Sequence, residues 1–149
     1  MIPTGSIGRR RVSGVGLIEV LIAVVILSFG MLGIAALQST SLRNSQSALE
    51  RSQAVVQTYA ILDAMRANLA VARIGGYDLT ALTCVVPKTG DLAATDLHDW
   101  IQALKRDLGA AACGQIKCGS LACRITVQWD DSRGTRGDAR QQLVTETRL

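Results

Sequence analysis

The apolar residues of this 149-residue chain are concentrated near one end. From Val15 to Leu37 the sequence reads VGLIEVLIAVVILSFGMLGIAAL, 23 residues with a single charge, Glu19. A hydrocarbon core ~30 Å thick needs about 20 apolar residues in a helix. The run therefore predicts a membrane span, and a helical one, because lipid offers no partners to free backbone groups. Beyond Leu37 the chain turns polar without turning to loop. No Gly or Pro occurs between Gly33 and Gly75, and Leu42, Leu49 and Val56 recur every seventh residue. Val55, Tyr59, Leu62, Met65, Leu69 and Ala72 follow at helical spacings of three and four. The pattern predicts one continuous helix from about Leu17 to Arg73, ~85 Å long at 1.5 Å per residue. Its first half is lipid-soluble and its second half amphipathic, and Gly75-Gly76 ends it.

The remaining pattern changes period. Residues 77–95 read as irregular, punctuated by Pro87 and Gly90. Leu97, Trp100, Ile101, Leu104 and Leu108 share one face of a second helix predicted over Asp96–Leu108, with Thr95 or Asp96 as cap and Gly109 as stop. Over Ala122–Asp130 the period becomes two. Cys123, Ile125, Val127 and Trp129 lie on one side and Arg124, Thr126 and Gln128 on the other, as in a half-buried strand. A polar turn at Asp131–Asp138 leads to a second strand over Arg140–Leu149, antiparallel to the first. Residues 115–118 add a short third strand. The fold class is α+β, a long helix with a small antiparallel sheet.

Composition narrows the function. The chain is 48% apolar and only 3% aromatic, so any soluble core is modest. The net charge of +4 is unevenly placed. Arg9, Arg10 and Arg11 lie in the first fourteen residues, which hold no acid; taking those three from the 16 basic residues leaves 13 against 12 acidic ones. A nearly neutral remainder has no sequence-independent grip on nucleic acid, and no nucleic-acid partner is expected. The arginine cluster is instead an orientation signal that places the N-terminus in the cytoplasm. An ordinary secretory signal would have a 7–15-residue apolar region and a small-residue cleavage site; this run is longer, and Ala-Ala-Leu-Gln after it matches poorly. Glu19 is the informative residue. A carboxylate at the centre of a membrane helix costs ~2.5–3.5 kcal/mol, less near its end. It is either a tolerated interfacial charge or one that pairs with a positive group in an assembled state.

Here a resemblance becomes specific. Arg-Arg-Val-Ser-Gly14 followed by Val-Gly-Leu-Ile-Glu19-Val-Leu-Ile resembles the class III leader of type IV prepilins. The resemblance implies that prepilin peptidase cuts after Gly14 on the cytoplasmic side and methylates the new amine on Val15. Glu19 then stands fifth, where the family has a glutamate that meets the α-amine of a neighbouring subunit. Two positions depart from the family: Val15 stands where Phe is usual, and the helix-bending proline of major pilins is absent, with Gly30 and Gly33 in roughly its place. The implied organisation is a leader at 1–14, a transmembrane half-helix at 15–37, an amphipathic half at 38–73 and an α+β periplasmic head at 74–149. The implied location is the bacterial inner membrane, crossed once, and then a surface pilus. Implied partners are the peptidase, membrane lipid, an inner-membrane assembly platform, and other minor and major pilins. Leu-His-Asp-Trp100-Ile-Gln-Ala-Leu followed by Ile-Thr-Val-Gln-Trp129-Asp resembles the PilV-type minor pilins, which prime filament assembly or build its tip.

Cys84, Cys113, Cys118 and Cys123 all follow the span, which the orientation signal puts in an oxidising periplasm. They are disulfide candidates with three possible pairings; zinc, with His98 as a spare ligand, is the rival. Neither a metal nor a cofactor is expected. His98 is the only histidine, and no nucleophile elbow, phosphate loop or metal-binding helix motif occurs, so the chain does not read as an enzyme. Trp100 and Trp129 read as core anchors. Two other functions share these features. A minor pseudopilin of a type II secretion system has the same leader and helix. A DNA-binding pilin would present a basic patch drawn from Arg124, Arg133, Arg136, Arg140 and Arg148, interspersed here with Asp130, Asp131, Asp138 and Glu146.

Overall fold

The computed structural model of the chain describes residues 14, 16–119 and 122–149. The chain divides into two units, with the boundary between Ser39 and Thr40. Helix α1, Leu17–Ala67, has 51 residues. In the first unit every described residue is exposed, so the apolar run has no core of its own to enter.

In the second unit α1 buries Ala54, Thr58, Ile61, Leu62 and Met65. Val55 and Tyr59, expected on that face, instead face outward at 39% and 56% exposure, as do Leu42, Leu49 and Val56. The helix thus has two apolar faces at neighbouring angles, and the one turned inward begins with the small residues Ala54 and Thr58 before Ile61, Leu62 and Met65. Thr58 is tolerated there because its hydroxyl donates to the Ala54 carbonyl, 2.8 Å away.

The helix also ends earlier than its periodicity suggests. Asn68 takes φ −118° and ψ 49°, outside the helical region, and a short helix α2, Leu69–Arg73, follows. The Asn68 carbonyl accepts from the amides of Val71 and Ala72, restarting the helix, and its side chain donates to the Tyr77 hydroxyl. Asparagine competes with helical backbone in this way. Gly75 then stops the chain with φ 83°, and the Gly76 amide reaches back to the Val71 carbonyl at 2.9 Å, the bond of a Schellman-type end.

Residues 77–95 are more ordered than their composition suggests. Strand β1, Leu79–Thr83, lies within them, and helix α3 begins at Leu92 and runs to Leu108. Its cap is Asp91, not Thr95 or Asp96: the Asp91 side chain accepts from the Ala94 amide at 2.8 Å. Gly109 ends it, as expected, with φ 99°. Strands β2, Cys113–Cys118, β3, Cys123–Trp129, and β4, Gln141–Thr147, complete a four-stranded antiparallel sheet in the order β1-β2-β3-β4. The β3 face expected to be buried is buried: Ile125 and Val127 are fully inaccessible, and Cys123 and Trp129 nearly so.

The core of this unit lies between the sheet and the two helices. Trp100 is its central pin. Its indole N–H donates to the Gln57 carbonyl of α1 at 3.0 Å, and its ring packs against β2 at Gly114, where an added Cβ would come within 2.5 Å of two ring carbons. A long apolar N-terminal helix with this small antiparallel sheet is an α+β arrangement of the type IV pilin kind.

Candidate functional site

The N-terminal residues that carry the expected chemistry are disposed simply. Gly14 is exposed. Val15, like Arg9, Arg10 and Arg11, lies outside the described residues. Glu19 occupies the first turn of α1, where its amide donates to the Gly16 carbonyl at 3.0 Å. Its side chain is exposed and has no cationic partner among the described residues. A negative charge in a first turn complements the partial positive charge of a helix start. Around and beyond it the helix is apolar on every side, with a mean hydropathy of 2.8 over its most apolar 18 residues. Such an all-round apolar surface requires lipid or other protein around it. An added Cβ at Gly30 or Gly33 would meet nothing within 4 Å, so both leave the helix surface open there.

The four cysteines of the second unit form two disulfides, Cys84–Cys113 and Cys118–Cys123. The second joins residues directly opposite each other in the β2–β3 register. The first ties the end of β1 to the start of β2, across the insertion of α3. With their sulfurs paired, these cysteines offer no thiolates to zinc. His98 is engaged elsewhere, with Nδ1 2.7 Å from the Pro87 carbonyl oxygen.

Side chains whose role the sequence did not reveal hold this unit together. The loop from Asp130 to Arg140 docks on α1. Asp131, only 2% exposed, accepts from Ser47 Oγ at 2.7 Å and faces Arg51 at 3.9 Å. Arg133 reaches Glu50 at 3.5 Å. Burial pushes the Glu50 carboxyl above its ordinary value; Arg133 opposes this, while Asp131 and Asp130 add to it. Asp130 is held low by hydrogen bonds from Ser132. At the other end of the unit the fully buried Tyr77 donates its hydroxyl proton to Asp96. Burial, with the adjoining Asp96 carboxylate, raises the Tyr77 pKa. Two of the basic residues are ion-paired, Arg124 of β3 with Glu146 of β4 at 3.2 Å and Arg133 of the docked loop with Glu50.

Only the polar turn around Gly134 and Gly137 gave a sequence signal for the docked loop. Nothing local marks Asp131 as buried or pairs Tyr77 with Asp96, since their partners lie 84 and 19 residues away.

Residues 9–35 match the family model of the prokaryotic N-terminal methylation motif. No curated protein and no solved structure matches the chain. The matched stretch covers the arginine cluster, Gly14, Glu19 and most of the apolar run. It makes the chain pilin- or pseudopilin-like, and it implies processing by a prepilin peptidase. The long apolar helix is consistent with membrane anchoring.

Proposed function

We propose that this chain is a minor pilin that takes part in priming, assembly or tip structure of a type IV pilus. The methylation motif over residues 9–35 carries the reading, because it runs without interruption into α1. Prepilin peptidase cuts between Gly14 and Val15 on the cytoplasmic face of the inner membrane. Before assembly the apolar half of α1 crosses the bilayer and the second unit stands in the periplasm, where its two disulfides persist. On leaving the membrane, the exposed apolar surface from Leu17 to Leu37 exchanges lipid for the corresponding helices of neighbouring subunits. Glu19, which has no cationic partner among the described residues, then meets the α-amine of a neighbour. A charged pair in that apolar setting favours one axial position, because any other leaves a charge unpaired. The Trp100 and Trp129 segments favour the PilV-type minor pilins over the pseudopilins of type II secretion.

The first test is mass spectrometry of the intact protein and its N-terminal peptide, from cells with and without prepilin peptidase. Loss of residues 1–14 only when the peptidase is present, with Val15 as the new terminus, is the expected result. An uncut chain, or a cut near Leu37, overturns the reading. Deleting the gene should abolish or thin surface pili seen by electron microscopy; loss of protein secretion with normal pili would assign the chain to a pseudopilus. A Glu19→Ala variant should still be cut and anchored, yet be missing from sheared filaments.

A further inference from the structure

Strand β4 is the last of the sheet, and among the described residues no strand pairs with its outer edge. Its inner edge is regular, pairing with β3 from Gln141 to Thr147 without a bulge. A long regular edge presents a row of free N–H and C=O groups, which proteins guard with proline, a bulge or lysine. The β4 sequence, QQLVTET, has none of these devices. Its polar side chains on the solvent face do not cover the edge either. Gln142 donates to Gln128 at 2.8 Å and Glu146 accepts from Arg124 at 3.2 Å, so both turn back onto β3. Between them the apolar Val144 stands 53% exposed. On the other face Gln141, Leu143, Thr145 and Thr147 are only half-buried, although their partners in β3 are buried. The core stops one strand short of being covered. The opposite edge differs: β1 slips register against β2 between Leu79 and Thr83, and such an irregularity turns an edge away from further pairing.

We infer that the outer edge of β4 takes up one strand, the first edge strand of a different pilin-type head, in antiparallel register. A second copy of this chain does not fit. Two β4 strands continue one sheet antiparallel only about a two-fold axis normal to it. That axis reverses α1 in the second copy, whereas subunits anchored in one membrane point the same way. In a head built on the same plan and held the same way up, the strand that faces β4 is its first. With four alternating strands that one runs antiparallel to β4. In a second copy it would be β1, the irregular edge. The strand that fits is therefore free of bulges, belongs to another protein, and carries apolar residues on its core side, where they cover Leu143. The inference rests on the filament-subunit reading and names the surface by which the head meets one neighbour.

The test uses the full-length protein in cells that express its assembly partners. A photo-crosslinking amino acid replaces Gln142, Val144 or Glu146 in turn, with the exposed Thr80 of β1 as control. The three β4 adducts should map by peptide mass spectrometry to alternate residues of one segment in a different pilin-type protein, in reverse order along its sequence. Thr80 should give none to that segment. Thr145→Lys turns a charge to the core side of the edge, where it reaches water while the edge is open but is trapped beneath an added strand; it should lower the yield from position 144 about tenfold. Thr145→Val should keep that yield. No adduct from the three β4 positions, adducts to a second copy of this chain or to a protein without a pilin-type leader, adducts in the same sequence order, or a yield that Thr145→Lys leaves unchanged overturns the inference. A terminus at Val15 without these adducts removes the edge contact alone; an uncut chain removes the pilin reading with it.

Discussion

Removing the two disulfides one at a time should separate them by stability. In the chain-entropy account, a crosslink stabilises by shrinking the unfolded ensemble, more so for a longer closed loop. Cys84 and Cys113 are 29 residues apart, Cys118 and Cys123 only 5. At 25 °C the first bridge is then worth about 3.6 kcal/mol and the second about 2 kcal/mol. Their positions reinforce the order: the first holds β1 to the sheet across the whole α3 insertion, while the second joins strands already paired along six positions. The variants are Cys84→Ala/Cys113→Ala and Cys118→Ala/Cys123→Ala, each in the full chain in detergent, unfolded in urea and followed by circular dichroism. The first pair of substitutions should lower the midpoint more than the second; equal shifts or the reverse order refute the argument. The pairing itself has a sharper test. Trypsin releases residues 74–88 with Cys84, residues 107–117 with Cys113, and residues 118–124 with both Cys118 and Cys123. Without reductant the first two should be joined and the third closed on itself. Either other pairing would link all three peptides into one species.

Other outcomes follow from close contacts and buried charge. A Cβ at Gly137 would fall 1.6 Å from the Asp131 carbonyl oxygen, so Gly137→Ala should destabilise the unit by ~1–3 kcal/mol and expose the Asp130–Arg140 loop to limited proteolysis; unchanged urea midpoint and cleavage would remove the docking account. Gly114→Ala should be destabilising by a similar ~1–3 kcal/mol, but less so beside Trp100→Phe, which removes the ring atoms it meets. A double-mutant cycle in urea should give a coupling of ~0.5–3 kcal/mol, and strict additivity would contradict the packing. Burial raises the Glu50 pKa from its ordinary 4.5. The stability this gives is complete below the unfolded-state value and is lost as pH rises through the folded-state one. Glu50→Gln should therefore gain stability relative to the native chain as pH rises above the ordinary 4.5 of a glutamate, and a constant difference between the two urea midpoints across that rise would count against it.

What the linear pattern determined was everything that depends on a surface recognised one residue after another. The apolar run from Val15 to Leu37 and the methylation motif over residues 9–35 are local stretches of sequence, so neither needs a folded partner to be visible. The inward face of α3 and the buried side of β3 were legible for a related reason. Their periods of 3–4 and 2 are imposed by the element's own geometry, whatever it packs against. Tertiary structure decided whatever depends on a partner distant in sequence. Asn68 interrupts the helix while its side chain bonds Tyr77, and β1 is a strand because β2 supplies its hydrogen bonds. Val55 and Tyr59 face outward because α3 and the sheet approach the neighbouring face of α1, where Ala54 and Thr58 leave room. The cysteine pairing, and the choice of Asp131 rather than its neighbour Asp130 as the buried acid, were settled by which side chains the sheet and the docked loop bring within reach. Local propensity carries no term for such contacts, since their energy exists only once the chain has closed on itself.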